Sequence, residues 1–276
     1  MSISIVGEIA RQELVITVRN RWTLIFATVF AVLVISIAYF GMIAEGFSGM
    51  QSFTRTSASL LNLVLYIIPL VALTMGTLSF TGDKGSTELL FAQPLSRMDV
   101  VMGKLLGVFA SIALSTLMGF SLAGAIILVS SGVTGLVSYA LFVILSLALA
   151  FVFLSIALLV ATASRRKAKA FGVVLFLWFF FVLLYDLLAL GGTLLLRGHT
   201  ANTFLFISLF GNPVDMVRVS ALILLDNATI FGAAGAALTR FVGGATSGIA
   251  VLAAALSAWI ILPLLISGRL IRGQDI

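Results

Sequence analysis

Six long, uninterrupted apolar runs limit what this chain can become. They lie at about 22–43, 57–80, 104–131, 138–163, 171–196 and 242–267. Each reaches the length of about 20 residues that a helix needs to cross the hydrocarbon core of a bilayer. The runs are continuous rather than alternating, and a helix satisfies its own backbone groups in lipid, so they read as helices. Composition agrees: of 276 residues, 61% are hydrophobic and 9% charged, where a soluble domain carries about 25% charge. The expectation is an all-α polytopic membrane protein whose residues 1–276 form one transmembrane domain.

A net charge of +6 would suit a nucleic-acid binder, but its distribution argues otherwise. Arg11, Arg19 and Arg21, then Lys84, Arg97 and Lys104, then Arg165, Arg166, Lys167 and Lys169, then Arg269 and Arg272 all fall on one side of a six-span chain. The opposite side holds Arg55, Arg197, Arg218 and Arg240. This asymmetry is the positive-inside pattern, so both termini are expected in the cytoplasm, and no nucleic-acid partner is expected. The tract at 164–170, SRRKAKA, reads chiefly as an orientation signal and has the charge to meet anionic membrane lipid. Cysteine is absent, so the chain offers no disulfide, thiolate metal site or redox couple. The first run is too long for a secretory signal and follows Glu8 and Glu13, so no cleaved signal peptide is expected.

Two polar regions exceed what a turn requires. On the inner side, GDKGSTELLFAQPLSRMDVVMGK at 82–104 holds a helical segment from Gly85 to Gln93, stopped at Pro94. The pattern Ser96-x-x-Asp99 then starts the next helix. Ordered structure there suggests contact with a cytoplasmic partner. On the outer side, residues 197–240 carry Asn212-Pro213-Val214-Asp215, a capping residue followed by Pro at the first helical position. Val214, Val217, Ala221 and Leu224 recur at helical spacing, and Asp226-Asn227 marks an end. The pattern predicts a short amphipathic helix on the outer surface, with an apolar piece from Thr203 to Phe210 dipping into the membrane. Residues 2–21 predict an amphipathic helix at the cytoplasmic interface, with Ile5, Ile9, Leu14 and Val18 on its apolar face and Trp22 as an anchor. Gly103-x-x-x-Gly107 and Gly244-x-x-x-Gly248 mark tightly packed helices, with a dimer seam a weaker reading.

No catalytic constellation is present. His199 is the single histidine and reads as a surface or headgroup residue. Asp186, near the outer end of the fifth run, is the one acidic residue inside a span, placed to pair with Arg197 or to face interfacial water. No Walker A spacing occurs, so ATP and Mg would be bound by another chain. The methionines, among them Met42, Met50, Met98, Met102 and Met216, read as apolar filler rather than a copper path. This chain is expected to hold no cofactor or metal and not to be an enzyme.

The inner region resembles that of ABC-2 type permeases. The positions that match are Gly85, Thr87, Glu88, Leu89, Leu90, Pro94, Leu95, Ser96, Arg97, Gly103 and Lys104. Within that family the length and both ends of the chain resemble membrane subunits that serve maturation of the copper-sulfide site of nitrous oxide reductase. The resemblance implies a homodimer in the bacterial inner membrane, a cytoplasmic ABC ATPase and a periplasmic β-helical partner. On it, Gly85, Thr87, Glu88, Leu89, Leu90, Phe91, Pro94 and Arg97 are expected to couple to the ATPase. Asn212, Asp215, Arg218 and Asp226 are expected to contact the periplasmic partner. Two alternatives stay open: an ABC-2 exporter of a lipid, glycan or drug, with Phe176, Trp178, Phe179, Phe180 and Phe181 lining an apolar groove, and a membrane scaffold without an ATPase.

Overall fold

The computed structural model describes residues 3–43, 49–81, 96–131, 136–164, 166–196, 198–224, 238 and 241–273. Among them every regular element is helical: α1 (Ile3–Val18), α2 (Arg21–Ile43), α3 (Gly49–Phe80), α4 (Arg97–Ser131), α5 (Leu136–Ala163), α6 (Lys167–Phe179), a π-helical turn (Phe180–Leu184), α7 (Tyr185–Leu195), α8 (His199–Leu209), α9 (Pro213–Leu224) and α10 (Ala245–Arg272). Six stretches are long and apolar enough to cross a membrane: Arg21–Phe40, Ser59–Phe80, Arg97–Ala125, Leu136–Ala163, Lys167–Leu195 and Thr246–Arg272. The chain is an integral membrane protein. Its fifth span is α6, the π-helical turn and α7 in series.

Helix α5 is the centre of the bundle. It packs against α3, α4, α6, α9 and α10 and buries Phe142, Leu149, Ala150, Val152, Phe153, Leu154 and Ala157. A helix apolar all round has no solvent face to keep, so it takes the middle. Phe120 of α4 meets Phe30 of α2 edge-on, with centroids 5.6 Å apart, and the Tyr139 hydroxyl donates to the Phe120 carbonyl at 2.7 Å. Trp178 of α6 donates Nε1–H to the Tyr66 carbonyl at 2.9 Å. That bond lies beside Pro69, which leaves α3 one N–H short.

Helix α1 lies along α4, and the two glycines of Gly103-x-x-x-Gly107 make the groove for it. A Cβ on Gly103 would stand 2.6 Å from Ile9 Cβ, and one on Gly107 would stand 2.6 Å from the Ala10 carbonyl oxygen. The motif therefore serves a contact within this chain. The buried side chains of α1 are Val6, Ile9, Glu13 and Thr17; of the expected apolar face only Ile9 is among them. Ser79 of α3 donates its hydroxyl to Glu13 Oε1 at 2.6 Å, so α1 is tied to two spans.

The two ends of the span-five aromatic cluster have different fates. Phe176 and Phe179 are exposed, whereas Phe181 is buried and meets Trp259 edge-on. The cluster thus does not form one continuous outward face.

Candidate functional site

The inner coupling candidates Gly85, Thr87, Glu88, Leu89, Leu90, Phe91 and Pro94 lie outside the described residues. Arg97 is described: it is the first residue of α4 and is half-buried. The helix opens directly after Ser96, whose carbonyl accepts the amides of Asp99 at 3.0 Å and Val100 at 3.2 Å. Asp99 is 4% exposed and its Oδ1 has no hydrogen-bond partner.

On the outer side, Asn212, Asp215 and Arg218 at the start of α9 meet Asp186 where span five changes its winding. Phe180 to Leu184 form a π-helical turn, closed by the Tyr185 amide on the Phe180 carbonyl. Single π-turns inserted in α-helices are often functional. The extra residue leaves the Phe181 carbonyl available to an outside donor, and Asn212 Nδ2 supplies one at 2.9 Å. Asn212 also caps α9: its Oδ1 accepts the Val214 amide at 3.0 Å, and Nδ2 donates to Asp215 Oδ2 at 3.0 Å. The Asn-Pro pair therefore starts α9 at Pro213 in the way its sequence indicates.

Arg218 lies one helical turn beyond Asp215. Its Nη1 donates to Asp215 Oδ1 at 2.7 Å and to Asp186 Oδ2 at 2.8 Å. Two carboxylates thus share one guanidinium nitrogen. The side chains of Asp186, Arg218 and Asp215 are 38%, 28% and 15% exposed. Asp186, expected to pair with Arg197 or to face interfacial water, pairs with Arg218 and keeps 38% of its side chain exposed. Arg197 lies outside the described residues.

Helices α8 and α9 meet at 101°, and the corner between them is held from two spans. Tyr185 of span five donates to the Ser208 carbonyl at 2.6 Å, and Trp259 Nε1 of span six donates to the Phe210 carbonyl at 3.1 Å. These carbonyls belong to the end of α8, where that of Ser208 also accepts the Gly211 amide at 3.0 Å. A Cβ on Gly211 would collide with Tyr185 Oη, so a side chain there would push the Tyr185 hydroxyl from its place at Ser208.

The expected surface helix is corrected by this arrangement. Helix α9 is wedged among α3, α5 and α10, with Val214, Met216, Val217, Val219, Ser220, Ala221, Leu222 and Ile223 all buried. Its two charged side chains bind each other and Asp186, so no polar face is left to lie in water. Asn212 is 0% exposed, which removes it as a direct contact for an outer partner. Asp215 and Arg218 are engaged within the chain, and Asp226 lies outside the described residues. The part of Asn212 in bridging α9 to span five carried no sequence signal beyond its cap. Tyr185 and Trp259 had none that separates them from other interfacial aromatics.

Among the described residues no group of three or more His, Cys, Asp or Glu side chains converges. The cluster's chemistry is that of a polar clasp inside an apolar wall.

The profile of the ABC-2 family transporter proteins matches residues 8–272. The chain is similar to the probable ABC transporter permease protein NosY of Stutzerimonas stutzeri, with 37% identity over 275 residues, 97% of this chain and 98% of the relative. It is also similar to the protein of the same description from Pseudomonas aeruginosa, with 35% identity over 235 residues, 83% of this chain and 85% of the relative.

Proposed function

The chain belongs to the ABC-2 transporter family, and from that premise we propose that it is the membrane subunit of a complex that matures the copper-sulfide site of nitrous oxide reductase. As an ABC permease it works with an ATPase partner. In this reading a NosF-like ATPase in the cytoplasm hydrolyses ATP, with Mg, and two copies of this chain convey the resulting movement to a NosD-like β-helical protein in the periplasm. The chain sits in the bacterial inner membrane with both termini in the cytoplasm. Copper or a sulfur species is cargo or substrate of the assembly, not a resident cofactor of this subunit.

The observation that carries the reading is the likeness to NosY permeases over nearly the whole chain. A physical argument supports the division of labour. A segment seated in an ATPase groove must be ordered and reach both the partner and a span. Residues 85–97 end directly on α4, the helix that holds α1 and packs on α2, α3 and α5. Glu88, Leu89, Leu90 and Phe91 supply the seated face, with Gly85, Thr87 and Pro94 shaping it and Arg97 pairing with an acidic group of the ATPase. The outer hairpin α8–α9 passes movement outward.

The test uses the native host with this gene deleted. Wild-type complementation should restore a reductase that carries its copper-sulfide signature by optical and electron-spin spectroscopy, and the tagged chain should bring down an ATPase and a β-helical periplasmic protein. A reductase that is complete without this chain would overturn the maturation role. Capture of an ATPase alone would point to an ordinary exporter, and capture of no ATPase to a scaffold.

A further inference from the structure

The outer half of span five is attached unlike the rest of the bundle. Helix α7 has no buried residue; Leu187, Leu188, Leu190, Leu194 and Leu195 are all at least 60% exposed. Among the described residues it packs chiefly on α8 and the π-helical turn. Helix α8 buries Leu209 at its end and adds a stacked contact between Phe206 and Phe241. Helix α9, by contrast, is buried along its length. The α7–α8 pair is therefore a thin leaf beside a firmly packed α9. Among the described residues it joins the bundle at the π-helical turn and the corner at 210–212, where helix geometry is already broken, and through the Phe206–Phe241 stack.

Side-chain chemistry bridges the leaf to the core at Asp186. That carboxylate stands in α7 and takes its hydrogen bond from Arg218 of α9. Arg218 keeps Asp215 on the same nitrogen. If Asp186 leaves, the guanidinium still holds a carboxylate, so opening exposes no unpaired buried charge. A clasp in which one acid can depart while the other stays is built to open at low cost.

We propose that Asp186 and Arg218 form a latch that holds the α7–α8 leaf against α9, and that the leaf swings on the π-helical turn and the 210–212 corner when the ATP-driven cycle opens it. Asp186 is then a positioning residue: it acts on the outer hairpin through Arg218. The driven part of this idea rests on the ABC-complex reading above; the latch itself does not.

Spin labels test it directly, because the chain has no cysteine of its own. Leu194→Cys on the leaf and Val137→Cys at the start of α5 are 80% and 74% exposed and stand at the same end of antiparallel spans. Pulsed electron-spin distances are measured for the full complex in nanodiscs, nucleotide-free and ATP-trapped. The expected result is one distance without nucleotide and a second, longer one on trapping. Asp186→Asn, which leaves Arg218 paired, should show the second distance without nucleotide, and Asp186→Glu should restore the first. An Asp186→Asn distribution identical to wild type without nucleotide would overturn the latch. A wild-type distance that is the same in every nucleotide state would overturn the driven swing. Should no ATPase bind the wild-type chain, the complex reading fails, while the nucleotide-free comparison of wild type and Asp186→Asn still decides the latch.

Discussion

Replacing Gly107 with alanine tests whether the glycine groove on α4 seats α1. A methyl group there would stand 2.6 Å from the Ala10 carbonyl oxygen, 2.6 Å from Glu13 Cβ and 3.1 Å from the Leu14 nitrogen. Two of the three atoms are backbone, which cannot rotate aside as a side-chain tip can, so α1 must shift as a body. Overpacking costs about 1–3 kcal/mol, and two backbone contacts place this site in the upper part of that range, at about 2–3 kcal/mol; the better helix propensity of alanine returns about 1 kcal/mol, for a net of about 1–2 kcal/mol. A change of that size alters an equilibrium by about 5–30-fold. The reporter is Thr17→Cys, whose parent residue is 8% exposed on the buried face of α1, in a chain with no other cysteine. With a water-soluble maleimide, Gly107→Ala should raise the labelling rate of that thiol about 5–30-fold, provided α1 opens and recloses faster than it is labelled. Gly172→Ala is the control, because a Cβ on Gly172 meets nothing within 4 Å; its rate should match the parent. Equal rates in Gly107→Ala and the parent would refute the groove.

Three further outcomes follow from the same contacts. Asn212→Ala removes the donor to Phe181 and the cap on Val214 and should lower stability in nanodiscs by about 1–3 kcal/mol; an unchanged thermal midpoint would mean that the bridge is not made. Trp259→Phe keeps a ring against Phe181 but loses the bond to Phe210, costing about 0.5–1.5 kcal/mol, whereas Trp259→Ala should cost about 3–5 kcal/mol; similar midpoints for the two variants would contradict this division. Replacing Glu88 or Leu89 should leave the chain in the membrane while ATP hydrolysis by the assembled complex no longer supports reductase maturation. Normal maturation in both variants would remove the inner segment from the coupling role.

The membrane-spanning class of this protein was written in its sequence, because the constraint is local. Lipid offers no hydrogen bonds, so each long apolar run must close its own backbone as a helix wherever it sits. The start of α9 at Pro213 was legible for the same reason: a cap acts on amides two or three residues away, as Asn212 does on Val214. The partner of Asp186 was not legible. Arg197 is eleven residues along the chain and Arg218 thirty-two, and only the fold of α8 back over span five brings the more distant one within 2.8 Å. The burial of α9 was hidden too, since its apolar spacing suits a surface helix as well as a wedge until the neighbours are known. The same holds for Gly103 and Gly107, which announce a close approach without saying of what; the tertiary structure decided that it is α1. Side-chain pairing across such separations depends on how the spans pack together, and no local pattern encodes that.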